Sequence, residues 1–398
     1  MTTRALPPTL ISSLLSGVPV GGAPSFAASA AEAAPLSDAF RTGPPRALEP
    51  PPGGRAAGPP EPTIYQATAA RASARAKDGP SGVETLRVTH DAAYAWDYAV
   101  QRPELRVLYE KSKDLMWNAR TYLPWETEVD PECDILPEHL NPLYGTRIWK
   151  LLDPKRDLPR LRHHQAAYTF SNFLHGEQGA LLATSQIVAM AQTADAKFYA
   201  ASQVFDEARH VEAYDRYLRE KIQLIYPVSA PLRELLDIIL LDTRWDFKFL
   251  GMQIMIEGVA LGAFAMIEQT SKEPLIKAIT QMIMQDESRH VAFGVLSLKD
   301  TYRDMSPHEL RDREDFVIKS AQMLHDRFLQ QEVWERMDLP QAECEACALH
   351  SPTMQLFRKL VFSKIVPNAK RLGLLTPYVR KAFAELDILE YETWEPSA

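Results

Sequence analysis

From about residue 91 onward, apolar positions recur at spacings of three and four, the period of an amphipathic helix, and no run alternates as a half-buried strand would. This pattern predicts a short helix over 107–120, long ones over 160–191, 196–222, 242–269, 274–304 and 308–337, and shorter ones over 352–365 and 378–388. The breaks between them carry helix-start chemistry: Thr193 to Asp195, Thr270–Ser271 ahead of Pro274, Ser306–Pro307, and Thr376–Pro377. Pro124, Pro131, Pro137 and Pro142 mark a long connection after the first helix. The expected fold class is therefore all-α. One stretch, 249–267, holds a single charge, Glu257, over nearly a membrane-spanning length. Gln253 and Glu257 would be costly in mid-bilayer, whereas the centre of a large bundle needs a helix that is apolar all round; the expectation is no membrane span.

Composition separates the first 90 residues from the rest. They contain 14 of the 30 Pro, 9 of the 17 Gly and only three aromatic residues, Phe26, Phe40 and Tyr65. Such a segment buries too little apolar surface to offset its ordering entropy, so disorder is expected over 1–90 and a folded domain over 91–398. The apolar run at 10–20 reads poorly as a secretory signal, because Arg4 is its only basic start and Pro19 interrupts it. A cytoplasmic location is expected, with an organellar or exported one as the lesser reading. The net charge of −8 argues against sequence-independent nucleic-acid binding, and three Cys rule out a disulfide scaffold.

The most informative feature is an internal repeat. Asp206-Glu207-Ala208-Arg209-His210 returns eighty residues later as Asp286-Glu287-Ser288-Arg289-His290, and Glu177 and Glu257 share the same offset. Each half reads as a Glu, thirty residues, then Glu-x-x-His, with a helix breaker near the middle. A chain running about 15 residues out and 15 back returns the second motif to the level of the first Glu. All four Glu lie on largely apolar helical stripes: Phe173, Leu174, Ala180 and Leu181 flank Glu177, and Gln253, Ile254, Ala260 and Leu261 flank Glu257. Carboxylates converging inside a bundle repel one another and are desolvated unless cations neutralise them. Two divalent ions match four Glu, with one His each; a Glu from each of two helices and Glu-x-x-His from the other two is the carboxylate-bridged dimetal arrangement. Asp206 is expected to hold His290, and Asp286 to hold His210, across a two-fold-like axis, with Arg209 and Arg289 pairing the Asp residues.

These motifs resemble the ferritin-like carboxylate-bridged di-iron superfamily. The Asp-Glu-x-Arg-His form is most similar to its oxygenase branch, which includes the hydroxylase subunits of soluble bacterial multicomponent monooxygenases and related N-oxygenases. The resemblance implies a ferritin-like four-helix bundle built from two duplicated hairpins, with metal-bearing helices over about 160–304 and additional flanking helices. It also implies two Fe ions, with Mn a possible occupant of either position, held by Glu177, Glu207, His210, Glu257, Glu287 and His290, and O2 as co-substrate. Those hydroxylase subunits usually carry Thr one turn after the third Glu, where this chain has Leu261. One N-oxygenase subgroup adds a seventh ligand, a His, one turn before the last Glu; Ile283 stands there, so that subgroup is expected to match poorly. Ribonucleotide reductase small subunits, which this region also resembles, place a radical-forming Tyr at the position of Tyr214. A hydrogen-bonded core Tyr is the plainer expectation for it.

The expected function is oxidation, by hydroxylation or N-oxygenation, of a small apolar substrate, with a radical-generating subunit and an iron-storing ferroxidase as alternatives. No flavin or iron–sulfur motif is present in the sequence, so an external electron donor, a reductase or ferredoxin, is implied. Homodimerisation is possible. Gln203, Gln253 and Tyr214 are expected near the site, and Phe173, Leu181, Leu261 and Phe264 beside a pocket. Cys344 and Cys347 with His350 lack a fourth zinc ligand and are expected to be ordinary thiols. His163 and His164 are expected to be capping or surface residues, and Trp117 to cover the bundle.

Overall fold

A computed structural model describes residues 75–76, 83–133 and 135–393. The chain divides after Pro62; the first unit lies outside the described residues, as does most of the segment expected to be disordered. Within that segment Arg75–Ala76 pairs antiparallel with Thr85–Leu86. The helices that matter here are α1 (Pro103–Asp114), α2 (Asp157–Met190), α3 (Ala194–Tyr217), α4 (Ala230–Leu241), α5 (Trp245–Thr270), α6 (Pro274–Leu298), α7 (Pro307–Asp326), α8 (Gln341–His350), α9 (Pro352–Phe362) and α10 (Pro377–Glu385). Four of them, α2, α3, α5 and α6, form the bundle as two helical hairpins, α2–α3 and α5–α6. The others wrap it: α1 lies on α3 and α6, α4 on α2, and α9 on α5.

The hairpin turns form where the sequence places cap chemistry. The Thr193 side chain accepts from Ala196 N and starts α3. Glu273 accepts from Leu275 N and Ile276 N, and Pro274 opens α6. Ser306 and Glu309 form a reciprocal capping box at α7. The apolar helix α5 is enclosed by protein, with 83% of its most apolar window buried. Its seven residues Leu250–Ile256 wind as a π-helix directly before Glu257, a wider turn often found at functional sites.

Three expectations need correction. The helix expected over 107–120 stops at Asp114 and resumes only at Ala119–Tyr122, which leaves Trp117 between the two. The helix expected over 274–304 ends at Leu298, and Asp300 takes a left-handed φ of 65°. The one expected over 308–337 ends at Asp326, passes through a 3-10 turn, and breaks at Gln330, φ 56°. No Gly or Pro marks that break. Side chains meet the carbonyls freed there: the Tyr168 hydroxyl donates to the Arg327 carbonyl (3.0 Å) and Trp334 Nε1 to that of Leu329 (2.6 Å). Helices outside the expected ranges include α4, α8 and the short ones Arg147–Leu151 and Ile365–Arg371. The signal for α4 was present, Ser229 followed by Pro231 and a run of Leu and Ile.

Candidate metal centre

The hairpins return each Glu-x-x-His to the level of its first Glu, and all six side chains are buried: Glu177 on α2, Glu207 and His210 on α3, Glu257 on α5, Glu287 and His290 on α6. Ligand atoms of Glu177, Glu207, His210 and Glu287 lie within 4.8 Å of one another, and so do those of Glu207, Glu257 and His290. Glu207 belongs to both groups. His210 Nδ1 stands 3.3 Å from Glu177 Oε2, 3.4 Å from Glu207 Oε2 and 3.2 Å from Glu287 Oε1. His290 Nδ1 stands 3.2 Å from Glu207 Oε1 and 3.4 Å from Glu287 Oε1. Glu207 and Glu287 thus reach both imidazoles, in bridging positions, while Glu177 and Glu257 are terminal.

A cation fits this arrangement better than a proton does. An imidazole N–H can point at one oxygen, whereas His210 Nδ1 faces three. Two donor atoms each about 2.1 Å from one divalent ion sit roughly 3.0–3.4 Å apart, the spacing found here. Glu207 Oε2, Glu257 Oε2, both Glu287 oxygens and His290 Nδ1 are buried without a hydrogen bond among the described residues. Burial, aided by the Glu287 charge, pushes Glu177 up to about 8 and Glu257 well above the usual carboxylate range. Burial opposes charge on His210 and His290 as well, yet the carboxylates around them hold both well above an ordinary imidazole. Lacking cations, the cluster must hold protons to offset its own repulsion.

The far side of each imidazole is held as expected, in a crossed pattern. His210 Nε2 donates to Asp286 Oδ2 (3.1 Å) and His290 Nε2 to Asp206 Oδ2 (3.2 Å). Each Asp therefore fixes the other half's His with its Nδ1 lone pair toward the cluster. Arg209 donates to Asp206 and reaches Asp286 at 3.1 Å; Arg289 donates to Asp286 at 2.5 Å and stands 3.6 Å from Asp206. One member of this network was not expected. Trp117, in the gap after α1, donates Nε1 to Asp286 Oδ2 (2.7 Å) and lies nearly parallel to His210. Nothing in the sequence distinguishes it from its neighbours Tyr109, Tyr122 and Trp125.

Gln203 donates to Oε1 of both Glu207 and Glu257, each at 3.0 Å. Gln253, on the π-helical turn, is fully buried, and neither of its amide atoms is bonded. Tyr214 is buried beside Phe170, Phe173 and Phe264. Its hydroxyl approaches Thr280, but neither oxygen reaches hydrogen-bonding geometry, contrary to the expectation of a bonded core Tyr. Ile283, one turn before Glu287, is fully buried. Of the other residues weighed, His163 Nε2 bonds the Ile222 carbonyl and His164 Nδ1 bonds Tyr226, so neither is near the cluster's ligand set. Cys344 and Cys347 lie on α8 as free thiols.

A narrow cleft opens onto Glu177, Glu257 and Glu287, walled by Phe173, Ile256, Ala260 and Phe264. Phe173 and Phe264 meet edge to face, 4.8 Å between centroids. Leu181 and Leu261, expected beside the pocket, do not line it. The lining faces run through 173, 176, 177 and 180 on α2 and through 256, 257, 260 and 264 on α5; Leu181 and Leu261 sit one residue, about 100°, further round.

No curated protein matches the chain. Among solved structures, R2-like ligand-binding oxidases are similar. A point mutant with anaerobically reconstituted Mn/Fe cofactor has 15% identity and a TM-score of 0.43, over 69% of this chain and 94% of that one. The same oxidase with aerobically reconstituted metal cofactor after photoconversion has 13% identity and a TM-score of 0.41, over 75% and 95%. The family described as p-aminobenzoate N-oxygenase AurF matches residues 101–373, which include every residue of the cluster, its crossed Asp–His pairs and the cleft from Phe173 to Phe264. That match extends over more than half of the chain, so this protein belongs to the AurF N-oxygenase family.

Proposed function

We propose that this protein is a dimetal oxygenase that converts a small organic amine to the corresponding hydroxylamine. The observation that carries the reading is the buried pair of imidazoles sharing Glu207 and Glu287 beside an apolar cleft. Membership of an N-oxygenase family favours nitrogen over carbon as the atom oxidised. Glu177, Glu207, His210 and Glu287 would hold one iron ion, and Glu207, Glu257, Glu287 and His290 the other; manganese suits the same donors. When bound, the two metals supply the reduction of O2. The balance is R–NH2 + O2 + 2 e⁻ + 2 H⁺ giving R–NHOH + H2O, with the electrons from an external donor such as a reductase or ferredoxin.

The chain's own residues have narrower tasks. Asp206 and Asp286 keep each His Nε2 protonated, so that Nδ1 is available as a donor atom. Gln203 restrains Glu207 and Glu257 through their Oε1 atoms. Phe173 and Phe264 close one wall of the cleft against water and favour an apolar or aromatic body in the substrate. The test is anaerobic reconstitution with Fe(II), metal counting, and product analysis with arylamines under O2 and a chemical reductant. About two iron per chain and a hydroxylamine product are expected. Metal content unchanged in Glu207→Ala, or uptake of many iron atoms per chain, defeats the proposal.

A further inference from the structure

Toward the turn that joins α2 to α3, the bundle interior next to the cluster carries polar side chains where packing alone calls for apolar ones. Gln203 stands one turn before Glu207 on α3, and Tyr199 a turn earlier. Gln253 stands one turn before Glu257 on α5, inside the π-helical stretch, and abuts Gly294 on α6. Thr184 lies two turns past Glu177 on α2, and Ser297 two turns past His290 on α6. Ring contacts set the level of these helices. Tyr199 meets Phe293 at 4.6 Å between centroids, and Phe293 meets Phe249 at 5.0 Å. The end of α6 and the start of α5 therefore share the level of Tyr199. None of the five polar residues lines the cleft.

Thr184, Tyr199, Gln203 and Gln253 are fully buried. Yet Thr184 Oγ1, the Tyr199 hydroxyl, Gln203 Oε1, both amide atoms of Gln253 and Ser297 Oγ have no hydrogen-bond partner among the described residues. Gln203 shows why its oxygen stays free. Its Nε2 donates to Glu207 and Glu257, which uses both N–H groups and leaves Oε1 on the other edge of the amide. Burial holds the Tyr199 hydroxyl well above an ordinary phenol, so it remains protonated and can both donate and accept. Unpaired polar atoms in a core are costly, and buried water making about three hydrogen bonds is the usual remedy. Neighbouring groups on one helix stand a turn apart, about 5–6 Å, a gap that one water bridges. From His290 to Ser297 the string runs about 10 Å along α6.

We propose that Thr184, Tyr199, Gln203, Gln253 and Ser297 bind a file of ordered water that carries protons from solvent to the metal cluster. The outer end is Ser297, in the last turn of α6 beside the exposed Lys299 and Asp300. The inner end is Gln203, in contact with Glu207 and Glu257. Each water passes a proton inward and takes one from its outer neighbour, so one H⁺ crosses per pass and no electron moves. The apolar wall of the cleft, Phe173, Ile256, Ala260 and Phe264, offers no side chain that would hold such a file. The demand for two protons per turnover rests on the proposed oxygenase reading; the water site does not.

Two measurements test this. A crystal structure of the iron-loaded protein should show ordered water within hydrogen-bonding distance of the Gln253 amide and of the Thr184 or Tyr199 hydroxyl. A dry interior there overturns the proposal. Stopped-flow mixing of the reduced, iron-loaded protein with O2, in H2O and in D2O, follows the proton step. Gln253→Leu and Thr184→Val should each slow the reaction about tenfold or more and enlarge its solvent isotope effect, with iron content unchanged. Thr184→Ser should recover most of the rate that Thr184→Val loses. Ser320→Ala, which removes a buried unpartnered hydroxyl on α7 outside the string, should behave as the unaltered protein. Rates and isotope effects untouched in both Gln253→Leu and Thr184→Val overturn the proton role even where water is seen. Ordered water in a protein whose reduced form does not react with O2 counts against the oxygenase reading instead, and leaves the water site in place.

Discussion

Asp206 and Asp286 are equivalent by the eighty-residue repeat, but their surroundings are not. Asp286 accepts from His210, Arg289, Arg209 and the Trp117 indole; Asp206 has the corresponding His and Arg contacts and no bonded indole. Removing either carboxylate releases an imidazole, and a change of 10- to 100-fold in metal affinity is typical for such a loss. Asp286→Ala and Asp206→Ala should each weaken Fe(II) binding by that order in an anaerobic titration. Trp117→Phe should be milder, costing about 0.5–1.5 kcal/mol in chemical denaturation, because Asp286 retains its other donors. Metal affinity lost as completely in Trp117→Phe as in Asp286→Ala would give the indole a larger part than positioning. At this scale the sequence was most informative about the ligands. Repetition at a fixed offset identifies the Glu, His and Asp residues, but Trp117 has no repeated counterpart and acts through a contact distant in sequence.

Among the elements, α5 shows what burial on every side requires. Gly262 lies where α9 crosses, and a Cβ there would stand 2.6 Å from Val361 Cα and 3.0 Å from its carbonyl oxygen. Both atoms are backbone, so no flexible side chain can yield. Gly262→Ala should therefore destabilise the protein by about 1–3 kcal/mol despite the better helix propensity of Ala. Gly176 on α2, with nothing within 4 Å of its Cβ position, provides the control; Gly176→Ala should show no loss of stability by urea denaturation. Element boundaries were legible where local chemistry sets them, as at Thr193, Glu273–Pro274 and Ser306. They were not legible at Gln330, where the freed carbonyls are met by Tyr168 and Trp334, the former far away in sequence. Nor does any feature of the composition announce the π-helical winding of Leu250–Ile256.

For the molecule as a whole, the bundle and its metal centre depend on each other. Four buried carboxylates meet at the level where α2, α3, α5 and α6 converge, and burial with mutual repulsion raises Glu177 and Glu257. Loaded protein should melt at a higher temperature than chelator-treated protein. The difference should grow with free Fe(II), since a ligand binding only the folded state at about 100 times its Kd adds about 2.7 kcal/mol. A midpoint indifferent to metal would mean that the cluster is neutralised by protons alone.

The crossed Asp–His bonds have a consequence for symmetry. Each hairpin gives an Asp to the other and takes one back, the reciprocal relation of an isologous interface between identical subunits. One hairpin facing a second copy of itself could in principle complete all four carboxylates and both crossed pairs. Joining the two in a single chain removes the requirement that they be the same. Tyr214 and Phe173 in one half correspond to Gly294 and Gln253 in the other, where a Cβ on Gly294 would meet Gln253 Cβ at 2.5 Å. A dimer of hairpins would have to make any change to the cluster's surroundings twice. This chain can build an aromatic wall on one side alone, so a substrate meets a centre that has a front and a back.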